Sequence, residues 1–94
     1  MPVVFHIPGY LRGFTGGENR VSMDGSYATV GEALAALWSR HPGVRDRVVT
    51  ELGEVRTHVN VFVGTESIRY TGGLETPLPE GSEVSIVPAV SGGR

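Results

Sequence analysis

Cysteine is absent from this sequence. That absence excludes disulfides, thiolate metal sites and a cysteine nucleophile at once. Lysine is absent too, so all eight basic residues are arginine. The chain therefore offers no side-chain amine to an acylating group, and isopeptide chains built on its own side chains are excluded. Excess positive charge is also missing: the formal net charge is −2 and the pI about 5.8, which argues against nucleic acid or an anionic membrane as partner. Apolar runs are only a few residues long, and no basic segment precedes an apolar stretch of signal-peptide length, so a cytoplasmic protein is expected.

What remains is an ordinary globular composition, 39% hydrophobic and 19% charged over 94 residues, enough for one domain and too little for two. "PVVFHIP" sets Val3, Phe5 and Ile7 against Val4 and His6, the period of a half-buried strand, and Pro8 and Gly9 end it. Tyr10 to Asn19, with Gly13, Gly16 and Gly17, reads as a loop leading to a second alternating strand in "RVSMDG". "TVGE" at 29–32 is a capping box, in which Thr29 accepts from the amide three residues on and Glu32 bonds back to the Thr29 amide. The helix it starts carries Val30, Ala33, Leu34, Leu37 and Trp38 on one face and stops at "HPG", 41–43. A short helical turn is expected within Val44 to Leu52.

"THVNVFVG" is the clearest strand, with Val59, Val61 and Val63 on one face and His58, Asn60 and Phe62 on the other. "SIRY" suggests a short edge strand, and "EVSIVPAV" a last strand with Val84 and Ile86 opposite Ser85 and Val87. One main helix on a mixed sheet of four or five strands is a two-layer α+β domain, and pairing the first and last strands in parallel at its centre makes a β-grasp. The expected division is a β-grasp domain over 1–90 and a flexible tail over 91–94.

Few residue groups point to chemistry. His6, His41 and His58 lack metal-ligand spacing, although His6 and His58 could meet on the open sheet face, and all three read as solvated surface histidines. No serine sits in a nucleophile turn and no acid–base pair stands out, so the chain is not expected to be an enzyme. Gly16–Gly17 and Gly72–Gly73 read as turns, whereas Gly92–Gly93 is followed only by Arg94. A glycine pair there makes chemical sense if the carboxylate is the reactive group, because residues without Cβ can thread a narrow channel into another protein to reach the α-phosphate of ATP. From Pro88 to Gly93 an extended chain spans about 20 Å. The alternative is an ordinary frayed terminus. Val4, Phe62 and Val87 fall on the uncovered sheet face and are the candidate docking residues.

The words "IPGYLR", "HPGVRDRV", "HVNVFV", "SIRYTGGLETPL" and "EGSEVSIVPAVSGG" together resemble the ubiquitin-like sulfur carriers of the MoaD/ThiS type, nearest the CysO-like subgroup, over nearly the whole chain. The resemblance implies a β-grasp fold and a non-enzymatic carrier that binds no cofactor itself. A ubiquitin-activating-type enzyme would take the tail Ala89, Val90, Ser91, Gly92 and Gly93, adenylate Gly93 with Mg-ATP, and exchange AMP for sulfur. The resulting thiocarboxylate would feed a sulfur-accepting synthase. The subgroup favours cysteine formation by a pyridoxal-phosphate enzyme, and thiosugar, thiamin, molybdopterin and other sulfur-containing products are further destinations in the family. Family members act with Gly-Gly last, so Arg94 would have to be removed first, by a JAMM-type zinc peptidase, or be foreign to the natural chain. A protein modifier acting through Gly93, or a non-covalent interaction module, are the competing expectations.

Overall fold

The computed structural model describes residues 2–88. Within them five strands form one mixed sheet in the order β2-β1-β5-β3-β4. β1 (Val3–His6) pairs antiparallel with β2 (Arg20–Met23), placing Phe5 opposite Val21. β5 (Glu83–Pro88) inserts on the other side of β1, parallel to it, with Phe5 level with Val84. β3 (Val59–Val63) runs antiparallel to β5, Val61 facing Ile86, and β4 (Glu66–Ser67) closes the edge. First and last strands thus meet in parallel at the centre, as the β-grasp reading required. A parallel pair demands a long crossover, and here the whole stretch between β2 and β5 supplies it.

α1 (Val30–Arg40) starts at its cap: the Glu32 amide donates to Thr29 Oγ1 at 3.2 Å. The return bond differs from the expected one, because Glu32 Oε1 accepts from the amide of Ala28, at 3.1 Å, rather than from Thr29. Val30, Ala33, Leu34 and Leu37 are buried against the sheet and Trp38 packs at the margin. "HPG" does stop α1, but it also starts α2 (Pro42–Val48), whose first position is Pro42. Proline suits that position because its missing N–H would have no helical acceptor there and its φ is already helical. The helical turn expected from Val44 therefore begins two residues earlier and ends at Val48.

Two expectations, one of a loop and one of a strand, are corrected. The glycine-rich stretch after β1 contains a 3-10 helix, Gly9–Phe14, which drives Leu11 fully into the core. "SIRY" is not a strand beyond Ser67: Ile68–Tyr70 turns into a 3-10 helix with Ile68 buried. Ser67 Oγ accepts from the Arg69 amide, and the Arg69 guanidinium donates to the Val59 carbonyl at 3.1 Å and to Asn60 Oδ1 at 3.3 Å. Those bonds occupy the flank of β3 with a side chain instead of more strand. The core between helices and sheet gathers Phe5, Leu11, Leu34, Leu37, Val59, Val84 and Ile86, each 2% exposed or less. Each such side chain contributes roughly 1.5–3 kcal/mol by leaving water.

Candidate functional site: the open sheet face and the exit of the last strand

With both helices on one side, the other side of the sheet is open. Strand alternation puts Val4 and His6 of β1, Glu83, Ser85 and Val87 of β5, and Asn60 and Phe62 of β3 on it. All three candidate docking residues share this face: Val87 is 38% exposed, and Val4 and Phe62 are half-buried. They do not merge into one apolar patch. Val4 is level with Glu83, Phe62 with Ser85, and Val87 with Asn60, so each apolar side chain has a polar neighbour across the ladder.

Between Val4 and Ser85, His6 Nε2 and Glu83 Oε1 lie 2.6 Å apart in a hydrogen bond. This partner replaces the meeting of His6 with His58 that the sequence suggested. His58 stands at the start of β3 and lines a separate cleft with Tyr10, Phe14, Arg47 and Arg56. His41 joins the two helices and is only half-exposed, with Nε2 buried and lacking a hydrogen-bond partner, so it is not the solvated histidine expected. Among the described residues no group of three or more His, Cys, Asp or Glu could hold a metal ion.

Phe62 has an aromatic neighbour that sequence reasoning missed. A hollow of about 410 Å³ is lined by Phe62, Thr65, Glu66, Ser67, Tyr70 and Thr71, and Tyr70 is 84% exposed. Reading "SIRY" as a strand hid this residue, because only the 3-10 turn brings it beside Phe62. The turn was signalled by Ser67, whose hydroxyl caps it.

The last described residue, Pro88, pairs with Val59. Because β1 runs parallel to β5, the chain leaves β5 between the start of β3 and the segment that follows β1. The tail residues Ala89, Val90, Ser91, Gly92 and Gly93, Arg94 whose removal is expected, and the expected domain boundary at residue 90 lie outside the described residues. Among the described residues no helix is long and apolar enough to cross a membrane.

The ThiS family model matches residues 5–93, nearly the whole chain. The chain belongs to the ThiS family. Sulfur carrier protein CysO of Mycobacterium tuberculosis is 37% identical over 95 residues, covering 99% of this chain and 100% of that protein. The crystal structure of the Amycolatopsis orientalis BexX/CysO complex contains a chain that superposes with a TM-score of 0.85 at 40% identity, covering 96% of this chain and 98% of that one. Small archaeal modifier protein 1 of Haloferax volcanii superposes with a TM-score of 0.80 at 31% identity, covering 98% and 99% of the two chains. The fold is the ubiquitin-like β-grasp of these proteins, with a mixed sheet of five strands.

Proposed function

We propose that this chain is a sulfur carrier acting through Gly93. The observation that carries the reading is end-to-end similarity to a protein named as a sulfur carrier, with the family match running through Gly92 and Gly93. In this reading the chain is not itself a catalyst. An activating enzyme of ubiquitin-activating type receives Ala89 to Gly93, and the Gly93 carboxylate attacks the α-phosphorus of Mg-ATP, releasing pyrophosphate and leaving an acyl-adenylate. Hydrosulfide displaces AMP and leaves Gly93 as a thiocarboxylate. Where the donor is a persulfide, its outer sulfur displaces AMP to form an acyl disulfide, and a second thiol of the donor cleaves the S–S bond. That cleavage ends in a disulfide and frees the same thiocarboxylate, which a second enzyme consumes. Similarity to CysO favours cysteine formation as the destination, with thiosugar, thiamin or molybdopterin synthesis as further users. A relative crystallised together with BexX supports the use of a separate protein partner.

Wherever Arg94 is present it covers the Gly93 carboxylate, so loading requires its removal, a task suited to a JAMM-type peptidase. The open face is the docking surface for the activating enzyme, with Val4, Phe62 and Val87 as apolar contacts and Tyr70 extending the patch beside Phe62. The work takes place in the cytoplasm, where ATP and the biosynthetic enzymes are found.

Intact-mass analysis of the protein recovered from its own host tests the core of this reading. Loss of Arg94 together with replacement of one carboxyl oxygen by sulfur is expected. An unchanged C-terminus while the sulfur pathway is running would overturn it. Similarity to small archaeal modifier protein 1, 40% identical over 74 residues, favours a second reading in which activated Gly93 is attacked by a lysine of a target. Covalent adducts of higher mass in host lysate, lost when Gly92 and Gly93 are deleted, would establish that role.

A further inference from the structure

The cleft that holds His58 is lined by two arginines as well as by aromatic side chains. About 470 Å³ in volume, it lies where the 3-10 helix Gly9–Phe14, α2 and the start of β3 converge. Two guanidinium groups line it, and among the described residues neither Arg47 nor Arg56 pairs with a carboxylate. The one lining carboxylate, Asp46, has its Oδ1 3.3 Å from Arg45 Nη1. A protein with net charge −2 is therefore locally positive here.

Both arginines are held in place before any ligand arrives. Arg56 Nε donates to the Asp46 carbonyl at 2.9 Å, and among the described residues the terminal nitrogens of its guanidinium have no hydrogen-bond partner. Arg47 lies over the ring of Phe14, its guanidinium carbon 4.8 Å from the centroid. Phe14 in turn is seated by Gly43, one helical turn before Arg47, where a Cβ would come within 2.9 Å of the ring. Orientation in advance lowers the entropy cost of forming bidentate bonds to carboxylates. Beside the charges, Tyr10 is 49% and Phe14 37% exposed, supplying apolar wall.

We propose that this cleft is a second docking site, distinct from the open sheet face, for an acidic peptide segment of a partner protein. Carboxylates of the segment bond to Arg47 and Arg56, and an apolar side chain between them lies against Tyr10 and Phe14. The cleft adjoins the exit of β5, since His58 precedes the residue paired with Pro88. A protein engaged with that end of the sheet is within reach of it. The proposal goes beyond sulfur carriage and does not depend on it.

The test uses the whole chain and a fluorescein-labelled synthetic peptide, Gly-Glu-Leu-Glu-Glu-Phe-Glu-Gly, with a counterpart carrying lysine at each glutamate. Expected are saturable, salt-sensitive anisotropy with the acidic peptide alone, and amide shifts centred on Tyr10, Phe14, Arg47 and His58. Arg47→Glu, at an exposed position, should weaken binding about tenfold or more, and Arg47→Lys less. Unchanged thermal melting would exclude unfolding of the variants. Equal binding of the lysine peptide, shifts centred instead on Val4, Phe62 and Val87, or displacement of the acidic peptide by inorganic phosphate at constant ionic strength would each overturn the proposal. No activating partner is present, so the outcome is independent of whether Gly93 carries sulfur.

Discussion

Phe5 illustrates how much a single side chain decides in a domain of this size. It has no exposed surface and stands at the centre of the sheet, level with Val21 on one side and Val84 on the other. Phe5→Ala removes a buried ring and leaves a cavity, so denaturant unfolding should show a loss of about 3–5 kcal/mol, a large part of the whole stability of such a domain. Phe62→Asp is different in kind. Phe62 is half-buried on the open face, away from the core, so the variant should fold yet be adenylated more slowly by the activating enzyme. An undiminished rate would remove Phe62 from the docking surface. Tyr10 offers a spectroscopic check of the cleft, because burial of its phenol raises its pKa above 10.0. Comparing phenolate absorbance of the parent and Tyr10→Phe proteins should locate this ionisation above that of free tyrosine. The folded state then keeps its proton where the unfolded state has lost it, so this contribution to stability is present below pH about 10 and declines as pH rises further.

At the scale of elements, short polar sequences determine where helices begin and strands end. Thr29 satisfies an amide of the first turn of α1 that has no helical partner, and Glu32 holds the preceding segment by bonding to Ala28. Thr29→Ala should cost about 1 kcal/mol, readable as a lower denaturation midpoint with unchanged slope. Pro42 lets α2 follow α1 with only His41 between them, and this abrupt junction presents Arg47 to Phe14. Pairing of β4 with β3 is limited to two residues because Ser67 and Arg69 draw the backbone into a 3-10 turn. That same turn exposes Tyr70 beside Phe62, so an interruption of the sheet edge adds to the candidate docking surface.

For the molecule as a whole, the apolar cluster among the described residues runs from Val3 to Ile86, and the proposed reactive group, Gly93, comes after it in the sequence. Deleting residues 92–94 should leave the melting temperature within about 1 °C of the parent, given that a 1 kcal/mol change moves such a domain by roughly 4–8 °C. The same deletion should abolish sulfur loading in the presence of the activating enzyme and Mg-ATP. A marked fall in melting temperature would mean that the tail packs on the domain. An unchanged melting temperature together with lost loading would suit a carrier whose terminal group enters the sites of other proteins while the domain provides recognition from outside.

The alternation of Val3, Phe5 and Ile7, of Val59 and Val61, and of Val84 and Ile86 determined by itself which faces are buried, because a strand's side chains can only point two ways. The capping box and apolar stripe placed α1 in the same manner, and the succession of elements reached a two-layer α+β domain, whereas the parallel pairing of first and last strands that makes it a β-grasp came from the family resemblance. Local pattern could not reveal that isolated Leu11 plugs the core, since one apolar residue among glycines has no period. Nor could it pair His6 with Glu83, 77 positions apart, which meet only because β1 and β5 run parallel. The arginine cleft has the same origin: Phe14 comes from the first 3-10 helix, Gly43 and Arg47 from α2, and Arg56 and His58 from the segment that leads into β3. Periodicity records what each segment does with its own neighbours. Contacts between distant segments exist only once the crossover has closed, and tertiary packing alone decided them.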